Sequence, residues 1–177
     1  EAAEVGDWNW FAFDSADATN TGLYHVIVTN NNGAVTSRVS VLAVSPATAL
    51  GVAVDAPQLV VTNNTDWPVW APDVTGTNAH DSLCAARSPN IFLGSAAFSA
   101  IVAGPTNVSF WWRISAAAES FLDIAVDGSV SNTISGETVW QQHGLSLPAG
   151  EHTLTWTCRK QSAEVAGANA AWVDQFT

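Results

Sequence analysis

The stretch that decides the fold class is Ser109-Phe110-Trp111-Trp112-Arg113-Ile114-Ser115. Aromatic and β-branched residues with no Gly or Pro among them read as a β-strand. Successive side chains on a strand point to opposite faces, so the two adjacent tryptophans cannot share one core. Trp112 falls on the same face as Phe110 and Ile114 and is expected inside. Trp111 falls with Arg113 on the other face and needs another explanation.

Outward from this strand, no helix-length periodicity appears after Gly51. Short strand patterns recur between turn signals, at residues 58–62, 91–98, 107–115, 121–126, 138–147, 152–158 and 170–176. Asp127-Gly128 and Pro148-Ala149-Gly150 are the clearest turns. This spacing predicts an antiparallel β-sandwich. Pairing 107–115 with 121–126 through a loop at 116–120 sets Ile114 opposite Leu122, Trp112 opposite Ile124 and Phe110 opposite Val126, all apolar. The other face then sets Arg113 opposite Asp123 and Trp111 opposite Ala125. A second hairpin, turning at 148–151, sets Leu145 opposite Leu154 and His143 opposite Trp156, with Trp140 near Arg159.

Of 177 residues, 16 are acidic and 5 basic, a net charge of −11, which makes nucleic acid and anionic membranes poor partners. Charged residues make up only 12% of the chain, and the Thr, Ser, Asn, Ala, Val and Gly that dominate it suit secreted β-structure. Nine Trp against one Tyr and no Met calls for large aromatic cores, a sugar-stacking surface, or both. No run of residues is apolar and long enough to span a membrane, and no signal-peptide pattern opens the chain, which reads as a mature product or an excised piece. Cys84 and Cys158 offer either two buried thiols or one disulfide, which would close a long loop and contribute roughly 3–5 kcal/mol.

The first 45 residues read differently from the rest. Trp8–Phe13 is a short aromatic strand, 24–29 an alternating one, Asn30-Asn31-Asn32-Gly33 a hairpin turn and 35–44 the returning strand. Asn20, Gly22 and Tyr24, followed by the Asn-Gly turn and a last strand ending in Leu42-Ala43-Val44, resemble the final strands of an immunoglobulin-like domain of the intracellular-set type. The resemblance implies a tyrosine corner at Tyr24, and Val26 stands where that family often has its second Cys. Three strands cannot close a sandwich, so the missing strands are expected upstream in the same polypeptide or from another chain. Residues 46–50 read as a linker, and 51–177 as a second domain.

That second domain has its own resemblance. VSFWWRIS (108–115), FLDIAVDG (121–128), ISGETVWQQHGLSLPAGEHTLTWTCRK (134–160) and AAWVDQF (170–176) are similar to a jelly-roll module of large secreted bacterial proteins, related to the cleaved-adhesin and MAM-like sandwiches. Cys84 and Cys158 depart together from that module's pattern, which favours a disulfide between them. The resemblance also implies a structural calcium site, with Asp55 and Asp174 as ligands. The competing reading of Asp174 is an acceptor of backbone hydrogen bonds near a strand end.

Catalysis finds little support. His25, His80, His143 and His152 are scattered, and His80-Asp81-Ser82, neighbours in the chain, cannot assemble a relay. No nucleophile elbow, zinc-helix motif or phosphate loop is present. Trp111, Arg113 and Asp123, sharing one outer face, are the candidate ligand site. A flat indole stacks on sugar C–H faces while charged groups bond hydroxyls. Trp67 and Trp70 are candidate additions from the preceding loop. In the competing reading Trp111 is covered by another segment, and Trp67 and Trp70 plug the sandwich's end. The sequence therefore predicts an all-β chain, an antiparallel jelly-roll β-sandwich preceded by a partial immunoglobulin-like one. The expected role is that of a non-enzymatic extracellular or cell-surface adhesion module of a multidomain bacterial protein. Its partners would be glycans or other surface proteins. The alternatives are a self-assembling subunit or spacer of a fibre or coat, and an accessory module of a secreted hydrolase.

Overall fold

The structure, a computed structural model, describes residues 20–42, 49–64, 68–81, 83–90 and 93–177. Within them the chain is all-β and antiparallel. Its strands are β1 (Gly22–Tyr24), β2 (Ile27–Asn30), β3 (Gly33–Thr36), β4 (Ser40–Leu42), β5 (Val61–Asn63), β6 (Ala71–Asp73), β7 (Ala85–Arg87), β8 (Gly94–Ser115), β9 (Ser120–Val126), β10 (Ser129–Ser135), β11 (Gln141–Lys160) and β12 (Ala170–Asp174). One short helix, α1 (Ala49–Ala53), precedes β5.

Two strands organise the sandwich. β8 has 22 residues and β11 has 20, and they pair from Gln141 opposite Trp112 to Lys160 opposite Gly94. Phe98 stacks on its ladder partner Trp156 at 4.8 Å, and Phe110, farther along the same strand, meets Trp156 edge-on at 5.2 Å. In a straight strand Phe98 and Phe110 would lie about 40 Å apart. Both long strands therefore fold over, and one continuous sheet becomes two facing layers. The first layer runs β10, β9, the carboxyl half of β11, the amino half of β8, β5. The second runs from the amino half of β11 through the carboxyl half of β8, β12 and β7 to β6. At the fold the strands touch through backbone: a Cβ on Gly104 would lie 1.8 Å from the Pro148 carbonyl oxygen.

Neither sequence-read hairpin is present, although the faces assigned from them are correct. β9 pairs with β10 and β11, not with β8; Leu122 stands opposite Ile134 and Cys158, and Ile124 opposite Asn132 and Trp156. Phe110, Trp112, Ile114, Leu122 and Ile124 are nevertheless all buried in one cluster, with Val126 packed against it. They meet across the two layers rather than along a ladder. The Asp127-Gly128 turn, with φ of 50° and 80°, joins β9 to the polar edge strand β10, which has no counterpart among the strands read from sequence. Positive φ at both central residues is what a type I′ turn requires.

The second false hairpin is a bulge. Leu147 stands opposite Thr106 and Gly150 opposite Gly104, three steps on β11 against two on β8. One extra residue reverses the alternation. Leu145 and Leu147 face the core before it, and His152, Leu154, Trp156 and Cys158 after it.

Cys84 and Cys158 are both free and buried, which corrects the expected disulfide. Cys158 lies on the core face of β11. Cys84 is seated against α1, its Sγ 3.9 Å from the Val52 and Ala53 carbonyl oxygens. A shared departure from a pattern does not impose the close Cβ approach a disulfide needs.

Before α1, β1 pairs with β4 and β2 with β3 as a two-stranded ribbon. The Asn30–Gly33 turn is present, with positive φ at Gly33 (146°) and not at the asparagines; Asn30 Oδ1 instead accepts the Asn32 N–H at 2.8 Å. Tyr24 Oη donates to the Asn20 carbonyl at 2.6 Å, the bond expected of a tyrosine corner. Val28 and Val35 stand opposite each other and are 66% and 73% exposed, with Val26 beside them at 61%. The predicted strand Trp8–Phe13 and the linker core 46–48 lie outside the described residues.

Candidate functional site

The outer face of the second layer carries alternate residues of three strands. Trp172 of β12 stands opposite Arg113 of β8 on one side and Arg87 of β7 on the other. The Arg113 guanidinium lies over the Trp172 ring at 4.5 Å and 5.8 Å from the Trp140 ring, and Arg87 is 5.8 Å from Trp172. Cations and indoles thus alternate across the face: Arg87, Trp172, Arg113, Trp140.

The segment that follows β6 is drawn down onto this face. Asp73, at its root, accepts from Thr75 Oγ1 (2.7 Å), Thr75 N (3.2 Å), Asn78 Nδ2 (3.1 Å) and Trp172 Nε1 (3.0 Å). Burial alone would raise its carboxyl, but these donors hold it below the usual range. Ala79 packs with Trp172, Ala85 and Ala170. His80 stacks on Trp111, centroids 3.8 Å apart and planes 15° from parallel, and meets Trp140 edge-on at 5.7 Å. Its Nδ1 lies 2.7 Å from Gln175 Oε1, and its backbone N–H donates to Asp174 Oδ2 at 2.7 Å.

Trp111 and Arg113 thus share an outer face as expected, both partly exposed. Asp123 does not join them. It is buried in the other layer, where it accepts from Arg159 Nε at 2.5 Å and Thr133 Oγ1 at 2.7 Å. The false hairpin had brought it across. Trp140 likewise sits by Arg113 rather than Arg159, whose guanidinium covers Phe121 at 4.1 Å. Trp70 is 1% exposed, edge-on to Phe98, with Nε1 donating to the Ala96 carbonyl at 3.0 Å, so it is a core residue and not a ligand platform. Trp67 lies outside the described residues, as does Ser82. His80 is the partner that sequence reasoning missed for Trp111. A loop histidine has no periodicity to announce the strand it will cover.

The proposed calcium ligands are coupled but short of a coordination shell. Asp174 is fully buried, with its two oxygens accepting the His80 and Gln175 backbone N–H groups, as the competing reading had it. Burial, then the charges of Asp81 and Asp55, push it up to about 7. Asp55, in the left-handed position that ends α1 (φ 61°), is pushed up to about 6 by desolvation and then by Asp81. The Cys84 thiol beside them is pushed up to about 12 by burial and the same carboxylates. None of the three aspartates has an ion pair among the described residues. No group of three His, Cys, Asp or Glu side chains there is arranged to hold a metal ion.

At the opposite side, His152 bridges the bend. Its Nδ1 lies 2.7 Å from Asp127 Oδ2 and its Nε2 3.2 Å from the Pro148 carbonyl, while Asp127 Oδ1 accepts the Thr153 N–H at 2.8 Å. The Asp127 bond holds the imidazole above its usual range, and the same bond holds Asp127 below its own.

No family model matches the chain, and no curated protein matches it. Solved structures do. The secreted serine protease VesC from Vibrio cholerae superposes with a TM-score of 0.57 at 13% identity, covering 83% of this chain and 30% of the protease chain. The K3 cleaved adhesin domain of Lys-gingipain from Porphyromonas gingivalis superposes at 0.49 and 11% identity, over 66% of this chain and 89% of that one. TmCBM61, solved with β-1,4-galactotriose, gives 0.44 and 16% over 66% and 85%. At these identities the likeness to VesC shows a shared all-β fold, of which this chain takes in under a third of the protease. Among the described residues no helix is long and apolar enough to cross a membrane.

Proposed function

We propose that the chain is a non-catalytic extracellular binding module whose ligand is a glycan, held on the outer face of the second layer. The observation that carries this reading is the partly exposed pair Trp111 and Trp140, fixed on one rigid sheet face with Arg113 between two indoles. Aromatic surface of this kind supplies stacking area for sugar rings at low entropic cost. Trp111 gives one ring face to His80, so the platform is composite: Trp140, the free part of Trp111, and Arg113. Affinity electrophoresis through gels cast with soluble polysaccharides tests it. Retardation that Trp140→Ala and Trp111→Ala abolish, with near-ultraviolet circular dichroism retained, supports the reading. Equal mobility in all gels overturns it.

A second reading, assembly, is favoured by one observation. The β2–β3 ribbon exposes Val26, Val28 and Val35 and has both outer edges unpaired among the described residues. Strands of a preceding domain or of a neighbouring molecule would complete it as an immunoglobulin-like sandwich. Light scattering on the isolated chain, compared with Val28→Lys, separates the two sources. Calcium belongs to the proposal on charge alone, since Asp81 raises Asp55, and Asp81 and Asp55 both raise Asp174, with no ion pair to any of the three among the described residues. A thermal midpoint that rises with millimolar calcium over EDTA supports it, and an unchanged midpoint removes it.

A further inference from the structure

We propose that the glycan held on this face is acidic, with a sugar carboxylate received by Arg113; this rests on the glycan-binding reading above. Arg113 is unusual among the chain's cations. No hydrogen bond or ion pair to its guanidinium is made among the described residues, whose ion pairs are His152–Asp127 and Arg159–Asp123. Its Nε is buried without a partner. The two terminal nitrogens are not among the buried unpartnered atoms, so they reach solvent. The head group is held in place by indole faces alone, Trp172 at 4.5 Å and Trp140 at 5.8 Å.

A guanidinium fixed by stacking keeps its planar fork free, and that fork matches a carboxylate bidentately. Folding has thus fixed the cation's position, and its ordering cost is already met before a ligand arrives. Arg87 flanks the same indole at 5.8 Å, but its Nη1 and Nη2 donate to the Ser88 carbonyl (3.2 Å) and Asn90 Oδ1 (2.8 Å), which leaves Arg113 as the open donor. Trp140 and Trp111 beside it supply the surface on which the sugar ring lies. Two of the chain's five basic residues therefore sit on one face of a protein of net charge −11, neither of them in an ion pair among the described residues. A hexuronate, with a flat C–H face and one carboxylate, satisfies both halves of that arrangement.

The test is binding of the whole chain to polygalacturonate, to neutral galactan and to a sulfated galactan, at about 0.15 M salt where long-range repulsion from the net charge is screened beyond roughly 8 Å. The expected result is a preference for polygalacturonate of about tenfold or more over both others, as charge-assisted hydrogen bonds warrant. Arg113→Met keeps the apolar stem over Trp172 and should erase that preference, and Arg113→Lys should recover only part of it. Neutral galactan bound as well as polygalacturonate overturns the inference and leaves the glycan reading standing. Equal binding of the sulfated polymer overturns the carboxylate assignment. Binding to none of the three, nor to any other polysaccharide, removes both. The preference is measured on the unaltered chain, so the outcome does not depend on whether a variant folds.

Discussion

Replacing Asp174 by Asn should reverse in sign between acid and alkaline solution. Asp174 is fully buried and its carboxyl is raised from 3.8 to about 7, first by burial and then by Asp81 and Asp55. A raised carboxyl means the folded chain keeps a proton that the unfolded chain releases above pH ~4. Stability is then fully present below that pH and lost as pH rises toward 7. At about 1.4 kcal/mol per pH unit across the window, ionised Asp174 costs roughly 4 kcal/mol at pH 8. Asn carries no charge but turns an N–H toward one of the two backbone donors, His80 N or Gln175 N, losing about 1 kcal/mol. The variant should therefore be about 1 kcal/mol less stable than the parent at pH 3, near parity around pH 4.5 and roughly 3 kcal/mol more stable at pH 8. Urea unfolding followed by tryptophan fluorescence in EDTA reads all three values. A variant less stable at every pH would refute the reasoning, since it would mean the buried charge is compensated within the fold.

Other outcomes follow from the same geometry. Trp112→Ala should cost about 3–5 kcal/mol, as for a large core aromatic, whereas Trp111→Ala should cost well under half of that and mainly expose the 74–81 segment to hydrogen exchange. His152→Gln should remove a pH-dependent increment. The raised imidazole contributes below pH ~6.5 and loses that contribution as pH climbs through its folded value, so parent and variant midpoints should converge from pH 5.5 to pH 9. Gly104→Ala sets a methyl 1.8 Å from the Pro148 oxygen; loss of soluble expression or a fall in melting temperature of more than 10 °C, about 3 kcal/mol or more, is expected. A Gly104→Ala protein of parental stability would show that the two long strands do not cross there.

The alternation of large residues in SFWWRIS carried the essential information, because parity along a strand depends only on the strand itself. That is why Phe110, Trp112, Ile114, Leu122 and Ile124 were legible as core. Pairing was not legible, because two apolar faces satisfy each other equally well along a ladder or across a sandwich. The Leu147–Gly150 bulge was misread for a related reason: a one-residue change of phase looks the same whether the chain turns back or runs on. Pro148 followed by Ala149 argued against a primed turn, since neither readily takes the positive φ such turns require. Of the site, Trp111 and Arg113 were found through parity. His80 and Trp172 came from contacts between distant segments, for which a single sequence offers no period. Asp123 and Trp70 were lost because burial, not residue type, decides what a side chain can reach.

The doubled-over strands also govern how the molecule can come apart. Each layer borrows half of β8 and half of β11, so neither layer is a continuous piece of chain. Peeling one layer away would break the other at both bends. Local opening should therefore be confined to the amino-terminal ribbon and the surface loops, and the deepest amides of both layers should exchange at one common rate, through global unfolding alone. A nick at 161–169 would leave both long strands whole, while one beside Gly104 would cut β8 at its bend and leave β11 alone to carry the chain directly from one layer to the other.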